Sequence, residues 1–286
     1  MGVIKDREVK VLDHGFIKVV DTMGEDSAIT QAARISYGKG TKSVSEDRGL
    51  INYLMRHKHT SPFEMCEIKI HVKLPIFVAR QWVRHRTASI NEYSLRYSEA
   101  PTDYYVPALA QIRSQSTSNK QGRDVLLSEE AAINTQVHID TWSADAYHYY
   151  RTLLEGPQVF DSPHYGVARE LARTILPVNY YTEWYWKTNL HNLFHFLRLR
   201  KDSHAQHEIK AYADALGDLV EEWVPLAYYA FEEYNMKAVT LSATEAALVK
   251  EHLKGLDIQR PETLSKREWA AFTTSFLTAK EGLNET

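Results

Sequence analysis

Residues 80 to 96 read RQWVRHRTASINEYSLR. Arg80, Arg84, Arg86 and Arg96 crowd this stretch, His85 lies among them, and Glu92 is its only acid. Two like charges about 4 Å apart repel by roughly 1 kcal/mol in water, and by about four times that at an effective dielectric near 20. A half-buried cluster of this kind favours bound anions. Phosphates suit it because guanidinium forks match their oxygens. Ser89, Asn91 and Ser94 add donors on what reads as a loop, whose backbone N–H groups can also face phosphate. Two blander readings fit the same string: a solvated basic helix end, or an RNA-binding patch interleaved with Tyr93 and Tyr97.

Other residues could do different chemistry. His191-x-x-x-His195 sets two imidazoles on one helical face, a spacing that can ligate a metal, and His204-x-x-His207 adds a second pair. No Glu stands between His191 and His195 in the metalloprotease pattern. Paired His on amphipathic helices also serve cores and interfaces. A His-ligated metal hydrolase is therefore an alternative, and the reading adopted has no metal site. Cys66 is the only cysteine, which excludes an intramolecular disulfide and any multi-Cys zinc or iron–sulfur site. It lacks a Pro-Cys-His-like context and is expected to be structural. Ser94 has no legible Ser–His–Asp arrangement around it. No Gly-x-Gly-x-x-Gly fingerprint is present, so a nicotinamide cofactor is not expected in a Rossmann fold.

The elements that must position these residues are partly legible. Phe16 to Asp21 reads as a strand, and Met23-Gly24 turns the chain. Asp26 or Ser27 can cap a helix carrying Ile29, Ala32, Ala33 and Ile35. Ser43-x-x-Glu46 is a capping-box pattern before Leu50, Ile51, Leu54 and His57. Glu67 to Leu74 alternates, with Ile68, Ile70, Val72 and Leu74 on one side, as a half-buried antiparallel strand should. Pro75 can open a short helix over Ile76 to His85. Thr182 to Lys187 is a second strand, with Trp184 and Trp186 on one side. The polar segment from Ile112 to Asp124 reads as an exposed, mobile loop. Helical patterns cover Trp142 to Leu154, Ser162-Pro163 to Leu176, and Leu190 to about Tyr234, the last broken near Asp202 and near Pro225. Ser242-x-x-Glu245 and Ser265-x-x-Glu268 open two terminal helices. The expected fold class is α+β, an antiparallel-rich sheet with flanking helices and a helical C-terminal half.

Composition sets the limits. The chain has 286 residues, 44% hydrophobic and 25% charged, with a net charge of 34 − 37 = −3. That is ordinary globular usage, with no global basic field for nucleic acid or anionic membrane. No apolar run approaches the roughly 18 residues of a membrane span. Charges in the N-terminal MGVIKDRE oppose a signal peptide, so a cytoplasmic, reduced protein is expected. The 17 Tyr, 6 Trp and 13 His suit pockets for flat polar ligands as well as an aromatic core.

The string RHRTASINEYSLRYS matches RHRxxSxNxxSxRYS at every fixed position. It resembles the signature of the flavin-dependent thymidylate synthases. Ala32 to Ser36 (AARIS), His57 to Glu64 (HKHTSPFE), Lys73 to Trp82 (KLPIFVARQW) and Ala168 to Arg173 (ARELAR) are similar to further segments of that family. So are Leu197 to Arg200 (LRLR) and the stretch Asp202 to Gln206 with Glu208 and Ile209. The resemblance covers roughly residues 15 to 235. It implies a catalytic domain over 1–236, with an insertion near 112–135, and a helical extension over 237–286.

The resemblance implies reductive methylation of dUMP to dTMP, with methylenetetrahydrofolate as carbon donor and NADPH reducing through FAD. It also implies a homotetramer with shared sites. Gln81, Arg84, Glu92, Tyr93, Ser94, Leu95, Arg96, Arg173 and Arg200 would surround dUMP. Ser61, Glu64, Arg84, His85, Arg86, Glu92, Asn189, His191, His195 and His204 would contact FAD, as would Ser36. His59 would face the folate or NADPH region. Arg200 is the candidate catalytic residue, since a fixed guanidinium can stabilise a uracil anion. Leu95, His191 and His195 depart from residues found in some relatives. A nucleotide- or flavin-binding sensor without catalysis is the alternative within the same resemblance.

Overall fold

A computed structural model describes residues 4–35, 44–118, 120–155 and 166–277. The chain divides into two compact units, residues 1–236 and 237–286.

The first unit opens with the antiparallel hairpin β1 (Glu8–Val11) and β2 (Gly15–Met23). Helices α1 (Asp26–Ile35) and α2 (Val44–Arg56) follow. Ser43 of the expected capping box lies outside the described residues. A 3-10 turn (Ser61–Met65) leads into β3 (Glu67–Pro75). Pro75 ends this strand rather than opening the helix, and α3 spans only Ile76–Trp82. The expected loop at Ser89 is instead β4 (Ser89–Glu92). Its four residues are all exposed, so no apolar alternation marks it in the sequence.

The polar segment also departs from expectation. It forms a hairpin, β5 (Arg113–Gln115) and β6 (Arg123–Leu126), tied to the unit by side-chain bonds described below. Helix α4 (Glu129–Glu155) starts well before Trp142. The expected helix up to Leu176 is reduced to α5 (Arg169–Ala172) and a 3-10 turn (Arg173–Ile175), and Ser162 and Pro163 lie outside the described residues. Next come β7 (Tyr181–Asn189), α6 (Leu190–Arg200), α7 (His207–Trp223) and α8 (Pro225–Phe231), with breaks near Asp202 and at Pro225 as expected. The second unit holds α9 (Ala243–Leu253) and α10 (Lys266–Phe272), and both expected capping boxes are formed.

The main sheet runs β1-β2-β3-β7-β4, with every pairing antiparallel. Its buried face carries Ile17, Val19, Ile68, Ile70, Val72, Leu74, Trp184 and Trp186. Burying each such aliphatic chain contributes about 1.5–3 kcal/mol. Trp82, at the end of α3, sits at the centre of this core. Its ring lies 4.5 Å from Phe196 of α6, 5.5 Å from Trp186 and 6.1 Å from Tyr212 of α7. The same contacts lock α3 against α6, two residues before Arg84. Gly15 is required where α7 crosses the hairpin, since a Cβ there would lie 1.9 Å from the Tyr212 hydroxyl.

Asp26 ties the unit together across the chain. Its carboxylate accepts the backbone N–H groups of Leu226 (2.8 Å) and Ala227 (2.9 Å) at the start of α8. Val224 precedes that helix and has no side-chain acceptor of its own. Asp26→Ala should lower stability by about 1–2 kcal/mol, the usual cost of a lost helix cap. Thermal unfolding should report this as a fall of about 2–8 °C in Tm; an unchanged Tm would mean that water replaces the carboxylate freely.

Candidate functional site

Arg200 ends α6, and two acceptors hold it. Its Nε donates to His85 Nε2 at 3.1 Å, and its Nη2 donates to the Gln81 backbone oxygen at 3.2 Å. A guanidinium has only donors, so His85 Nε2 must accept and its proton must sit on Nδ1. Burial, then the charge of Arg200, then His195, push the His85 pKa down from 6.5 to about 4. The imidazole is therefore neutral near pH 7, as the bond requires. Burial, and then the charge of Arg84, lower the Arg200 pKa from its ordinary value. Lys201, the next residue, is anchored by a 2.7 Å bond from its Nζ to the Tyr228 hydroxyl. Gly217 leaves room for it, since a Cβ there would come within 2.6 Å of that nitrogen.

Arg84 and Arg86 are exposed, and among the described residues neither is paired with a carboxylate. Burial, a second guanidinium and a neutral imidazole thus surround Arg200, with no counter-charge on it. That arrangement has the electrostatics of an anion site.

His195 joins this cluster to a cavity. Its ring lies 5.7 Å from His85, and it lines a cavity of roughly 200 Å³ with His59, Thr60, Phe63, His191 and Arg198. Three of the sequence candidates, His59, His191 and His195, are thereby brought together. Ser61 and Glu64 lie on the 3-10 turn that contributes Phe63 to the same wall. Asn189 caps α6, accepting the Asn192 N–H at 3.0 Å, and so sets the helix that carries His191, His195 and Arg200. His204 is exposed and bonded to Asp202, with Nδ1 2.8 Å from the carboxylate. Ser36 lies outside the described residues. Among the described residues no three His, Cys, Asp or Glu side chains are grouped to hold a metal ion.

The segment after β4 is latched to α4 and α5. Glu92 accepts the Thr182 hydroxyl at 2.8 Å, and Tyr93 donates its hydroxyl to the Glu99 carbonyl at 3.0 Å. Leu95 packs with Tyr147, Leu153, Leu154 and Val167 in a small satellite core around Tyr150. Its bulk is therefore accommodated by the helical side rather than left free. Arg96 pairs with Glu170 at 2.9 Å, and Arg173 donates to the Glu170 carbonyl at 3.3 Å. Ser94 Oγ accepts the Arg96 N–H at 3.3 Å, and among the described residues no imidazole bonds to it.

Cys66 is fully buried, with its thiol directed at the Glu25 carbonyl at 3.4 Å. Burial, helped by Asp26 and Glu25, pushes its pKa up to about 12, so it is no thiolate at neutral pH.

Sequence reasoning missed one set of residues near the site. Gln81 Nε2 donates to Gln206 Oε1 at 2.5 Å, and Gln206 Nε2 donates to Glu208 Oε2 at 2.8 Å. Glu208 is 1% exposed and receives Arg123 of β6 on both oxygens, at 2.5 and 2.7 Å. Gln206 and Glu208 stand in a quoted segment, but nothing in the spacing ties them to a polar stretch so distant in sequence.

A family model described as thymidylate synthase complementing protein matches residues 18–226. A flavin-dependent thymidylate synthase of Rickettsia bellii is 52% identical over 270 residues, spanning 93% of this chain and 92% of its own. One from Ruegeria pomeroyi is 54% identical over 265 residues, spanning 92% and 85%. The crystal structure of a UMP/dUMP methylase, PolB from Streptomyces cacaoi, bound with 5-bromo-dUMP, superposes with a TM-score of 0.70 at 30% identity. It covers 80% of this chain and 99% of that one. The chain belongs to the flavin-dependent thymidylate synthase family.

The His85 environment predicts a pH dependence. The unfolded chain takes up a proton near pH 6.5 that folded His85 accepts only near pH 4. Stability from neutral His85 is thus complete above about pH 6.5 and is lost as pH falls towards 4. Tm should fall across that window, and His85→Asn should flatten the fall. An identical slope in the variant would detach His85 from it.

Proposed function

We propose that this chain methylates dUMP to dTMP, taking the one-carbon unit from methylenetetrahydrofolate and reducing equivalents from NADPH through FAD, with Arg200 as the residue that acts on the uracil ring. The observation that carries this is the Arg200 guanidinium, fixed by neutral His85 and the Gln81 carbonyl with no counter-charge among the described residues.

The residues suit FAD. Arg84 and Arg86, unpaired with carboxylates among the described residues, match a pyrophosphate, and the imidazoles of His191 and His195 line a wall for a flat ring edge. Bound FAD would supply the hydride that completes the methyl group. His59, on the same cavity, is the candidate for the folate or nicotinamide side.

Arg200 acts through charge and aim. Two of its five N–H groups are engaged, and the other three can meet the oxygens and ring nitrogen of a nucleobase. Negative charge developing on the ring is stabilised beside a cation that has no carboxylate partner among the described residues. A carbanion equivalent at C5 is then reached without a thiolate at C6. Arg96 and Arg173, both held by Glu170, would take the phosphate, with Ser94 orienting the substrate. The unit over 1–236 would be the catalytic domain and 237–286 a helical extension of the oligomer. A cytoplasmic homotetramer with sites shared between subunits completes the reading.

Arg200→Ala should lose about 10²–10³ or more in dTMP formation while flavin content stays near normal. Wild-type turnover in that variant would remove Arg200 from the chemistry. Cys66→Ala should keep its turnover, and loss of activity in a folded, flavin-loaded Cys66→Ala protein would revive a thiolate route. Purified protein should show flavin absorbance bands near roughly 380 and 450 nm. Their absence from protein that also fails to take up added FAD would sink the flavin reading.

A further inference from the structure

We infer that Glu208, acting through Gln206, fixes which end of the Gln81 amide faces the substrate, making Gln81 a hydrogen-bond acceptor there. This rests on the assignment of Gln81 to the nucleotide pocket. Three amide or carboxylate side chains lie in series, and their order leaves one solution. Glu208 receives donors from every neighbour. Arg123 Nη2 reaches both oxygens, the Tyr105 hydroxyl reaches Oε1 at 3.1 Å, and Gln206 Nε2 reaches Oε2. Burial opposes its charge, but the Arg123 bonds and the Gln206 bond outweigh it and hold its pKa below the usual glutamate value. An ionised carboxylate has no proton to give. Gln206 must therefore turn its NH₂ towards Glu208 and its oxygen towards Gln81.

Gln81 must in turn donate its NH₂ to that oxygen, at 2.5 Å. Its own Oε1 is left without a protein partner among the described residues, and it sits on the residue whose backbone oxygen holds Arg200. An isolated glutamine can flip its amide and offer either end. Here a flip of Gln81 would set two oxygens against each other, and a flip of Gln206 would face a carboxylate with an oxygen. Gln81 thus reads a hydrogen-bond donor of the nucleotide; Arg200 meets the ring nitrogen as an acceptor, which leaves the 3′-hydroxyl. Arg123, on the exposed hairpin β5–β6, is the charge that keeps the buried Glu208 ionised, so the hairpin serves the site from outside it. Glu208 and Gln206 are positioning residues.

The test is a double-mutant cycle on full-length, FAD-loaded protein, reading KM for dUMP and, in parallel, its dissociation constant. Gln206→Met should raise both about tenfold with kcat within about threefold, because it removes orientation rather than chemistry. In a Gln81→Met background the same change should add nothing, because Gln206 acts only through Gln81. Additive effects in the double variant, or an unchanged KM in Gln206→Met, overturn the inference. If Gln206→Met does not fold, Glu208→Gln takes its place; its amide can show either end to Gln206, so a rise of about threefold is expected and no change overturns the inference. Competition by 3′-deoxy-dUMP tests that donor. The wild-type advantage over Gln206→Met should vanish for this analogue, and its persistence overturns the inference. Wild-type protein that binds dUMP but makes no dTMP would instead sink the functional reading, leaving the binding cycle to judge the relay.

Discussion

A guanidinium offers only protons, and a neutral imidazole accepts one at a single nitrogen. The Arg200–His85 bond rests on that asymmetry and dictates much around it. His85 has to stay unprotonated, so it must be partly desolvated and kept near other positive charge. Arg200 has to stay charged while burial and Arg84 work against it, so the site gains by admitting an anion. A carboxylate against Arg200 would satisfy the guanidinium permanently and blunt its response to a ligand. The acids of this region are engaged elsewhere: Glu92 by Thr182, Glu170 by Arg96 and Glu208 by Arg123.

The aromatic core serves the same end. Trp82 is buried between β7, α6 and α7, and the chain emerges from it into Arg84, His85 and Arg86. Phe196 packs at a tilt on Trp82 and meets the edge of His85 at 4.9 Å. The His85 ring and the start of the arginine cluster are therefore fixed by packing rather than by charges, which repel one another. Replacing Phe196 by a smaller residue would loosen both partners of the Arg200–His85 bond at once.

Local patterns made much of this legible. The alternation of β3, the paired tryptophans of β7, the breaks that divide α6, α7 and α8, and the terminal capping boxes all follow from periodicity and cap chemistry. The arginine cluster announced an anion site through charge alone. Three features were not legible. Strand β4 is exposed on both faces, so it carries no alternation and is a strand only because β7 lies beside it. The polar hairpin read as a loop because its anchor, Glu208, lies 85 residues further on. The packing of Leu95 was hidden because its satellite core is built from Ala100, α4 and the chain around α5. In each case a contact distant along the chain decides the outcome, and such contacts leave no local trace.

The strand order carries one more consequence. Among the described residues strand β4 has β7 as its only ladder partner, yet β7 is made some ninety residues later, after the hairpin and α4. Arg200 and Glu208 come later still. On a ribosome, the arginine-rich segment must therefore emerge and wait without its sheet, its imidazole–guanidinium clasp or its latch, and long-range closures of this kind are slow. During synthesis that cationic stretch is exposed beside a polyanionic machine, and the nascent protein becomes competent only when nearly all of its first unit has been released.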